Sequence, residues 1–216
     1  MAVKNANMSA ARAAKNDEFY TRLEDIEREM IHYRDYFRDK VVFLNCDDPE
    51  WSNFWRYFEL NFDHLGLEKL VSTHYDANEP TYKLEITRDS SHPVKTPLVG
   101  NGDFRSPEAI AILDDVDIVV TNPPFSLFRE YVSQLVEREK DFIVIGNMNA
   151  VTYKEVWNNI VRGLVWLGVT APKSFRLPEG APEKAGQHTD ENGDRYQTFG
   201  NICWFTNVDH SRRHDD

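Results

Sequence analysis

An α/β fold built on a mostly parallel, twisted sheet flanked by helices is predicted by two features of the sequence. Short apolar runs of strand length alternate along the chain with stretches of helical periodicity. Turn and cap signals fall at the junctions between these runs rather than inside them. The 216 residues, 41% hydrophobic and without a visible internal repeat, suit one domain with a substantial core.

Thr21 and Glu24 have capping-box spacing and predict a helix from about Thr21, whose apolar face is Leu23, Ile26, Met30, Tyr33 and Phe37. Val41 to Leu44 reads as the first buried strand. Asp48 followed by Pro49 is a helix-start pair, and Trp51, Phe54, Trp55, Phe58 and Phe62 recur behind it at helical steps. Packing accounts for that aromatic face. Lys69 to His74 reads as a second strand. Residues 76–101 are ambiguous, with Tyr82 to Thr87 alternating like an edge strand or hairpin arm. Ser106 and Pro107 start a helix through Leu113, and Val116 to Thr121 is a buried strand. Residues 126–138 are helical, with Phe128, Tyr131, Val132, Leu135 and Val136 facing inward. Phe142 to Ile145 is a further strand, and Thr152 with Glu155 forms a second capping box. Leu164 to Leu167 and Asn201 to Thr206 are late strands. Residues 178–195 between them, polar and rich in Gly and Pro, read as a long loop. The domain proper is expected over 17–208, preceded by a basic arm, 1–16, and followed by a tail, 209–216.

No apolar run approaches the ~18 residues that span a bilayer, and the N-terminus lacks the apolar core of a secretory signal. Cys46 and Cys203 lie far apart without metal-ligand spacing, so they read as reduced, buried thiols of a cytoplasmic protein, and no metal is expected. The net charge of −11 counts against a simple nucleic-acid binder. The charge is uneven, however: residues 1–16 hold Lys4, Arg12 and Lys15 and no acid, an arm that could touch phosphates or equally be an Ala-rich tail.

The chemistry concentrates in Asn122-Pro123-Pro124-Phe125, directly after a buried strand and before a helix. In an open α/β sheet, ligands bind beyond the carboxyl ends of the strands. An aromatic amino nitrogen is a poor nucleophile because its lone pair is delocalised into the ring. The Asn122 side-chain oxygen and the Pro123 carbonyl could accept its two N–H groups and help localise that pair. Pro123 and Pro124 would stiffen the turn and remove donors, and Phe125 could stack on a ring. Transfer from a sulfonium then needs orientation and charge placement more than a strong base. Read alone, the tetrapeptide is also a plain strand-to-helix turn. Upstream, Asp103 could accept from the amino group of a cofactor adenine and Phe104 could pack on its ring; an N-capped turn into Ser106 is the plainer reading of Asp103.

Together these motifs resemble the Rossmann-like S-adenosylmethionine-dependent methyltransferases, and more narrowly the EcoRI-type adenine-N6 DNA methyltransferases. The stretches that carry the resemblance are Asp17 to Thr21, Asn45 to Pro49 with Trp51 to Phe54, Gly100 to Ser106, and Thr121 to Tyr131, in motif order over nearly the whole chain. The resemblance implies a late antiparallel strand in the sheet. It implies Phe19, Tyr20 and Thr21 beside the methionine part of S-adenosylmethionine, Asn45 and Asp47 in the first cofactor loop, and Asp103 with Phe104 at the adenine. Asn122, Pro123, Pro124 and Phe125 would then hold a target adenine flipped out of DNA. A cognate restriction endonuclease is a partner the resemblance allows; the oligomeric state is left open.

Departures stand out in the cofactor loops and at the end of the chain. The first strand ends in Asn45-Cys46-Asp47-Asp48 with no Gly, so Asp47 either faces the cofactor's ammonium or caps the helix. No acid stands clearly at the ribose position; Asp76 is the nearest. Similar enzymes also continue past the point matching His214, so either a short enzyme or a fragment is expected. Three readings follow: methylation of adenine N6 in DNA, methylation of another planar amino group (an RNA base or a glutamine amide), or a non-catalytic cofactor-binding or anti-restriction protein.

Overall fold

The computed structural model describes residues 19–46, 48–90 and 92–215. The expected basic arm and Asp47 lie outside them. Among the described residues the strands form two sheets. The larger has eight strands in the order β5 (Val94–Pro97), β4 (Tyr82–Thr87), β3 (Lys69–Thr73), β2 (Val41–Leu44), β6 (Ile118–Thr121), β7 (Asp141–Asn147), β12 (Ile202–Thr206) and β8 (Trp166–Leu167). The fold is the α/β one expected, and its late strand β12 runs antiparallel to β7. Parallel pairing is confined to the centre, β3-β2-β6-β7, with antiparallel pairs extending both sides. The sheet is therefore mixed, and the ambiguous stretch after β3 resolves into the β4–β5 hairpin.

Strand alternation divides the core into two layers. Val42, Leu44, Ile118, Val120, Ile143, Ile145 and Trp204 face one side, against helices α1 (Leu23–Met30) and α2 (Asn53–Leu60). Phe43, Val119, Phe142, Val144 and Phe205 face the other, against the helices Pro107–Asp114, Phe128–Glu137 and Lys154–Val161. Successive Cβ atoms on a strand point to opposite faces, so continuous apolar runs are what a sheet covered on both sides requires.

Several start signals act differently from the expectation. Thr21 does not cap α1: it lies in β1 (Tyr20–Thr21), paired with Phe175, and α1 starts from Arg22 without a side-chain cap. The expected face survives, with Ile26, Met30, Tyr33 and Phe37 buried. Asp48 and Pro49 form a turn rather than the start of α2. The Asp48 carboxylate accepts from Glu50 N at 2.9 Å, and the cap is Ser52, whose Oγ accepts from Phe54 N at 3.1 Å and Trp55 N at 3.4 Å. Trp51, left outside the helix, is exposed, while Phe54, Trp55, Phe58 and Phe62 are buried. Thr152 likewise closes a 3-10 turn by donating to Asn149 O at 2.7 Å, and the helix Lys154–Val161 follows Tyr153 without a side-chain cap. Ser106 does cap its helix, accepting from Ala109 N.

The stretch expected as a long loop contributes to a second sheet of four strands: β1, β9 (Ser174–Arg176), β11 (Arg195–Thr198) and β10 (Gln187–Thr189), in that order. Its strands are two to four residues long. Such runs are too short to show a period, and the pairing of β1 with β9 spans most of the chain.

A buried carboxylate joins the first helix to the late segment. Glu29 on α1 is fully buried and accepts from Tyr33 Oη and Val169 N, each at 2.8 Å, from Thr170 N at 2.7 Å and from Thr170 Oγ1 at 2.6 Å. Gly168 sits beside it because any Cβ there would run into Glu29 and Trp204. Cys203 is buried, which pushes its thiol up to about 12; Cys46 is only partly buried, against the expectation for it. The outer strands are modest: β5 is exposed along its length and contains Lys95 and Pro97, and β8 has two residues.

Candidate active site

The chain reverses its direction of travel across the sheet at β2: β3 lies on one side of it and β6 on the other. The loops leaving β2 and β6 therefore diverge at their carboxyl ends, the place where open α/β sheets bind ligands. Asn45 opens the first loop and Asn122 the second, and both are buried. Tyr131, on the following helix, donates to Asn45 Oδ1.

Asn122 is oriented by the small sheet. Its Nδ2 donates to Phe19 O at 2.8 Å, just before β1. Its Oδ1 is buried and has no partner among the described residues. None of those residues donates to the Pro123 carbonyl either. Two oxygens of the turn, Asn122 Oδ1 and the Pro123 carbonyl, thus have no donor among the described residues. Pro123 is buried, and Pro124 and Phe125 partly so. The Phe125 ring lies against Phe19, with centroids 6.0 Å apart and planes 24° apart. Phe199 closes the cluster edge-on, 4.9 Å from Phe19 and 6.3 Å from Phe125, with Phe175 beneath at 5.7 Å from Phe199. Phe19 thus meets the Asn122 turn directly, in addition to any part it takes at a cofactor. Tyr20 is partly buried and Thr21 buried; Asn53 Nδ2 donates to Thr21 O at 2.8 Å, tying β1 to the start of α2.

Asp103 lies on the same edge. Gly102, at φ +74°, packs so closely on the end of β3 that a Cβ would run into the His74 carbonyl. Asp76 N donates to Asn101 O at 3.0 Å. With β2 alone between them, β3, whose end carries the Asp103 loop, and β6, which leads into Asn122, are two strand spacings apart, about 10 Å. Asp103 Oδ1 accepts from Arg105 N and Nε, both at 2.9 Å, and Oδ2 from Arg105 Nη2 at 2.7 Å. Burial raises the carboxyl's pKa, but the Arg105 hydrogen bonds and charge outweigh it and hold it below the usual carboxylate range. Two bonds fill Oδ1, while Oδ2 keeps one lone pair for a further donor. Phe104 is buried, edge-on to Tyr131 at 5.0 Å, so a link of ring and hydrogen bond runs from Phe104 through Tyr131 to Asn45.

Replacing Gly102 with Ala is expected to lower stability by about 3 kcal/mol or more, since a left-handed backbone and a backbone clash add. The midpoint of chemical denaturation measures it; a loss under about 1 kcal/mol would show that the loop can move aside.

Phe175, Phe199 and Asn53 were not singled out from sequence as site residues. Phe175 and Phe199 belong to the small sheet and its exit, which carried no periodic signal. Asn53 stands inside one of the stretches quoted for the resemblance. Buried polar atoms without partners gather at this edge: Thr21 Oγ1, Thr73 Oγ1, His74 Nδ1 and Thr121 Oγ1 join Asn122 Oδ1. Others lie away from it, among them Trp204 Nε1 and His210 Nδ1; each such atom is unusual in a folded protein and calls for an explanation.

An α/β sheet whose carboxyl edge carries an Asn-Pro-Pro-Phe turn across from an acid-bearing loop defines the class of Rossmann-like methyltransferases. The family model of the adenine-specific methyltransferase EcoRI matches residues 7–216, and the chain belongs to that family. Type II methyltransferase M.EcoRI of Escherichia coli is 42% identical over 98% of this chain and 71% of its own length. M.MpnI of Mycoplasma pneumoniae is 40% identical over 92% of this chain and 63% of its own, and M.MgeORF184P of Mycoplasma genitalium 36% identical over 94% and 65%. The chain thus spans less than two thirds of the two mycoplasma relatives. No solved structure matches it.

Proposed function

We propose that this chain transfers the methyl group of S-adenosylmethionine to N6 of adenine in DNA, with the base flipped into the crevice beside Asn122. One observation carries the reading: Asn122 is held through Nδ2 on Phe19 O while its Oδ1 stays buried and unpaired. That is the arrangement needed to accept an N–H from a planar amino group. The Pro123 carbonyl takes the second N–H. Two acceptors draw the hydrogens toward themselves and shift electron density onto the nitrogen, while the paired prolines keep both in place without a hinge. Phe125 offers an aromatic surface to the base.

The residues fit the methyl donor in part. Asp103 keeps a lone pair on Oδ2 for an adenine amino group. Phe104 is packed into the core and supports the loop more than it offers a free ring. S-adenosylmethionine, when bound, supplies an electrophilic methyl carbon on a sulfonium. Asn122, Pro123 and Phe125 orient the acceptor toward it, which supplies most of what such a transfer requires.

The same two acceptors suit any planar amino group, and the net charge of −11 favours a target less anionic than DNA, such as a glutamine amide. One experiment separates these: incubation with labelled S-adenosylmethionine and DNA, RNA or protein, followed by digestion and identification of the methylated unit. N6-methyladenine from DNA is the expected product. Label confined to RNA or protein overturns the DNA reading, and cofactor binding without any transfer supports a non-catalytic, anti-restriction role.

A further inference from the structure

The small sheet carries a row of side chains that lies next to the Asn122 turn and is not part of it. Register sets Tyr20 of β1 opposite Arg176 of β9, Arg176 opposite Tyr196 of β11, and Tyr196 opposite His188 of β10. Residues paired across neighbouring strands share a face, so these four stand side by side. At three strand spacings the row is about 14 Å long. Thr21, Phe175, Gln197 and Gln187 alternate with them and point to the opposite face. That face is covered. Thr21 and Phe175 are buried, Gln187 Nε2 donates to Pro182 O at 3.1 Å, and Arg195 Nη1 donates to Ala181 O at 2.7 Å. The row itself faces outward: Arg176 and His188 are exposed, and Tyr20 and Tyr196 half-buried.

Its chemistry suits a nucleic-acid strand. The His188 ring lies along the Tyr196 ring, with centroids 5.4 Å apart and planes 18° from parallel. Tyr196 Oη donates to Asp190 Oδ2 at 3.3 Å, which braces the ring. Arg176 pairs with Asp194, and both side chains are partly exposed. Exposed ion pairs contribute little, so a phosphate can take the place of Asp194. Flat rings beside a guanidinium match unstacked bases joined by phosphates, and four-stranded sheets can stack two or three bases on their aromatic residues. The row also begins in a telling place. Tyr20 follows Phe19, whose carbonyl holds Asn122 and whose ring stacks on Phe125. A strand with its adenine at Asn122 runs past the inner end of the row.

We propose that the outward face of the small sheet binds unpaired nucleotides adjoining the target adenine, with His188 and Tyr196 stacking on bases and Arg176 holding a phosphate. The proposal rests on the reading that DNA is the substrate. The test uses the full chain and a mixed-sequence single strand of DNA about twelve nucleotides long, followed by fluorescence anisotropy. Replacing His188 and Tyr196 together by Ala is expected to weaken binding about tenfold. Asp194→Asn is expected to tighten it about threefold at low salt by releasing Arg176, and adding Arg176→Ala removes that gain. A damaged hairpin does not bind more tightly, so the gain separates recognition from folding. With 5-iododeoxyuridine in place of thymidine, irradiation of the wild-type protein is expected to crosslink the strand to His188 or Tyr196. Should the double variant fail to fold, this crosslink decides. Crosslinks confined to other residues, an unchanged affinity in the folded double variant, or an Asp194→Asn protein that binds no more tightly than the wild type each overturn the proposal. So does tighter binding of the RNA strand of the same sequence. Methyl transfer to duplex DNA without binding of the single strand overturns the proposal and leaves the proposed function standing; methyl label confined to RNA or protein overturns both.

Discussion

Asn122→Ala is expected to lower the rate of methyl transfer by about 10²–10³-fold, the scale seen when one preorganised hydrogen-bonding group is removed from a reacting centre. Affinity for S-adenosylhomocysteine should change by no more than about twofold, because the acceptor lost points at the target and not at the donor. The substitution deletes both halves of the amide. Losing Oδ1 removes one of two acceptors for the amino group. Losing Nδ2 releases Phe19 O, which the amide now holds at 2.8 Å. The second effect costs about 1 kcal/mol of stability and is read separately as a small drop in melting temperature. Single-turnover transfer to DNA alongside calorimetry separates chemistry from binding. A variant that keeps more than about a third of the wild-type single-turnover rate would show that the amino group is held elsewhere.

Replacing Glu29 is expected to cause a large loss of stability. Glu29→Ala leaves Tyr33 Oη, Val169 N, Thr170 N and Thr170 Oγ1 without their shared acceptor. Each buried donor stranded in this way costs about 1–3 kcal/mol, less where water reaches it. A total of about 4 kcal/mol follows, or a fall of about 10 °C in melting temperature for a domain of this size. Glu29→Gln is the sharper test. It keeps the shape and one acceptor but turns an NH2 toward groups that are themselves donors, so it should lose nearly as much. If the Gln variant melts within about 2 °C of wild type, the cluster is satisfied in some other way and its structural role is small.

The central layer of the fold was legible because each of its elements carries its own signal. Val41–Leu44 and Ile118–Thr121 are apolar runs bounded by polar ends, and Phe128–Glu137 buries the expected Phe128, Tyr131, Val132 and Leu135. The Asn122 turn was legible because its chemistry lies in four consecutive residues. What escaped depends on partners distant in sequence. Thr21 has the look of a cap, but pairing with Phe175 claims its backbone for a strand. Asp48 has the look of a cap, but a turn onto Glu50 N and a link to Tyr82 claim its carboxylate, and Ser52 takes over. The link from Phe104 through Tyr131 to Asn45 joins three positions that no local pattern connects. Local propensity sets the elements, and non-local hydrogen bonds decide which of several competent groups is used.

The borders of the large sheet carry a consequence for how copies of this protein meet. A free strand border offers a row of unpaired amides and carbonyls that a neighbouring chain can extend. Here one border is β5, where Pro97 has no amide to donate and the Lys95 ammonium is turned onto the Tyr82 ring beside Glu50. The opposite border is β8, whose two residues give little length for a foreign strand to register against. Continuous growth of the large sheet from one molecule into the next is disfavoured at both of its borders.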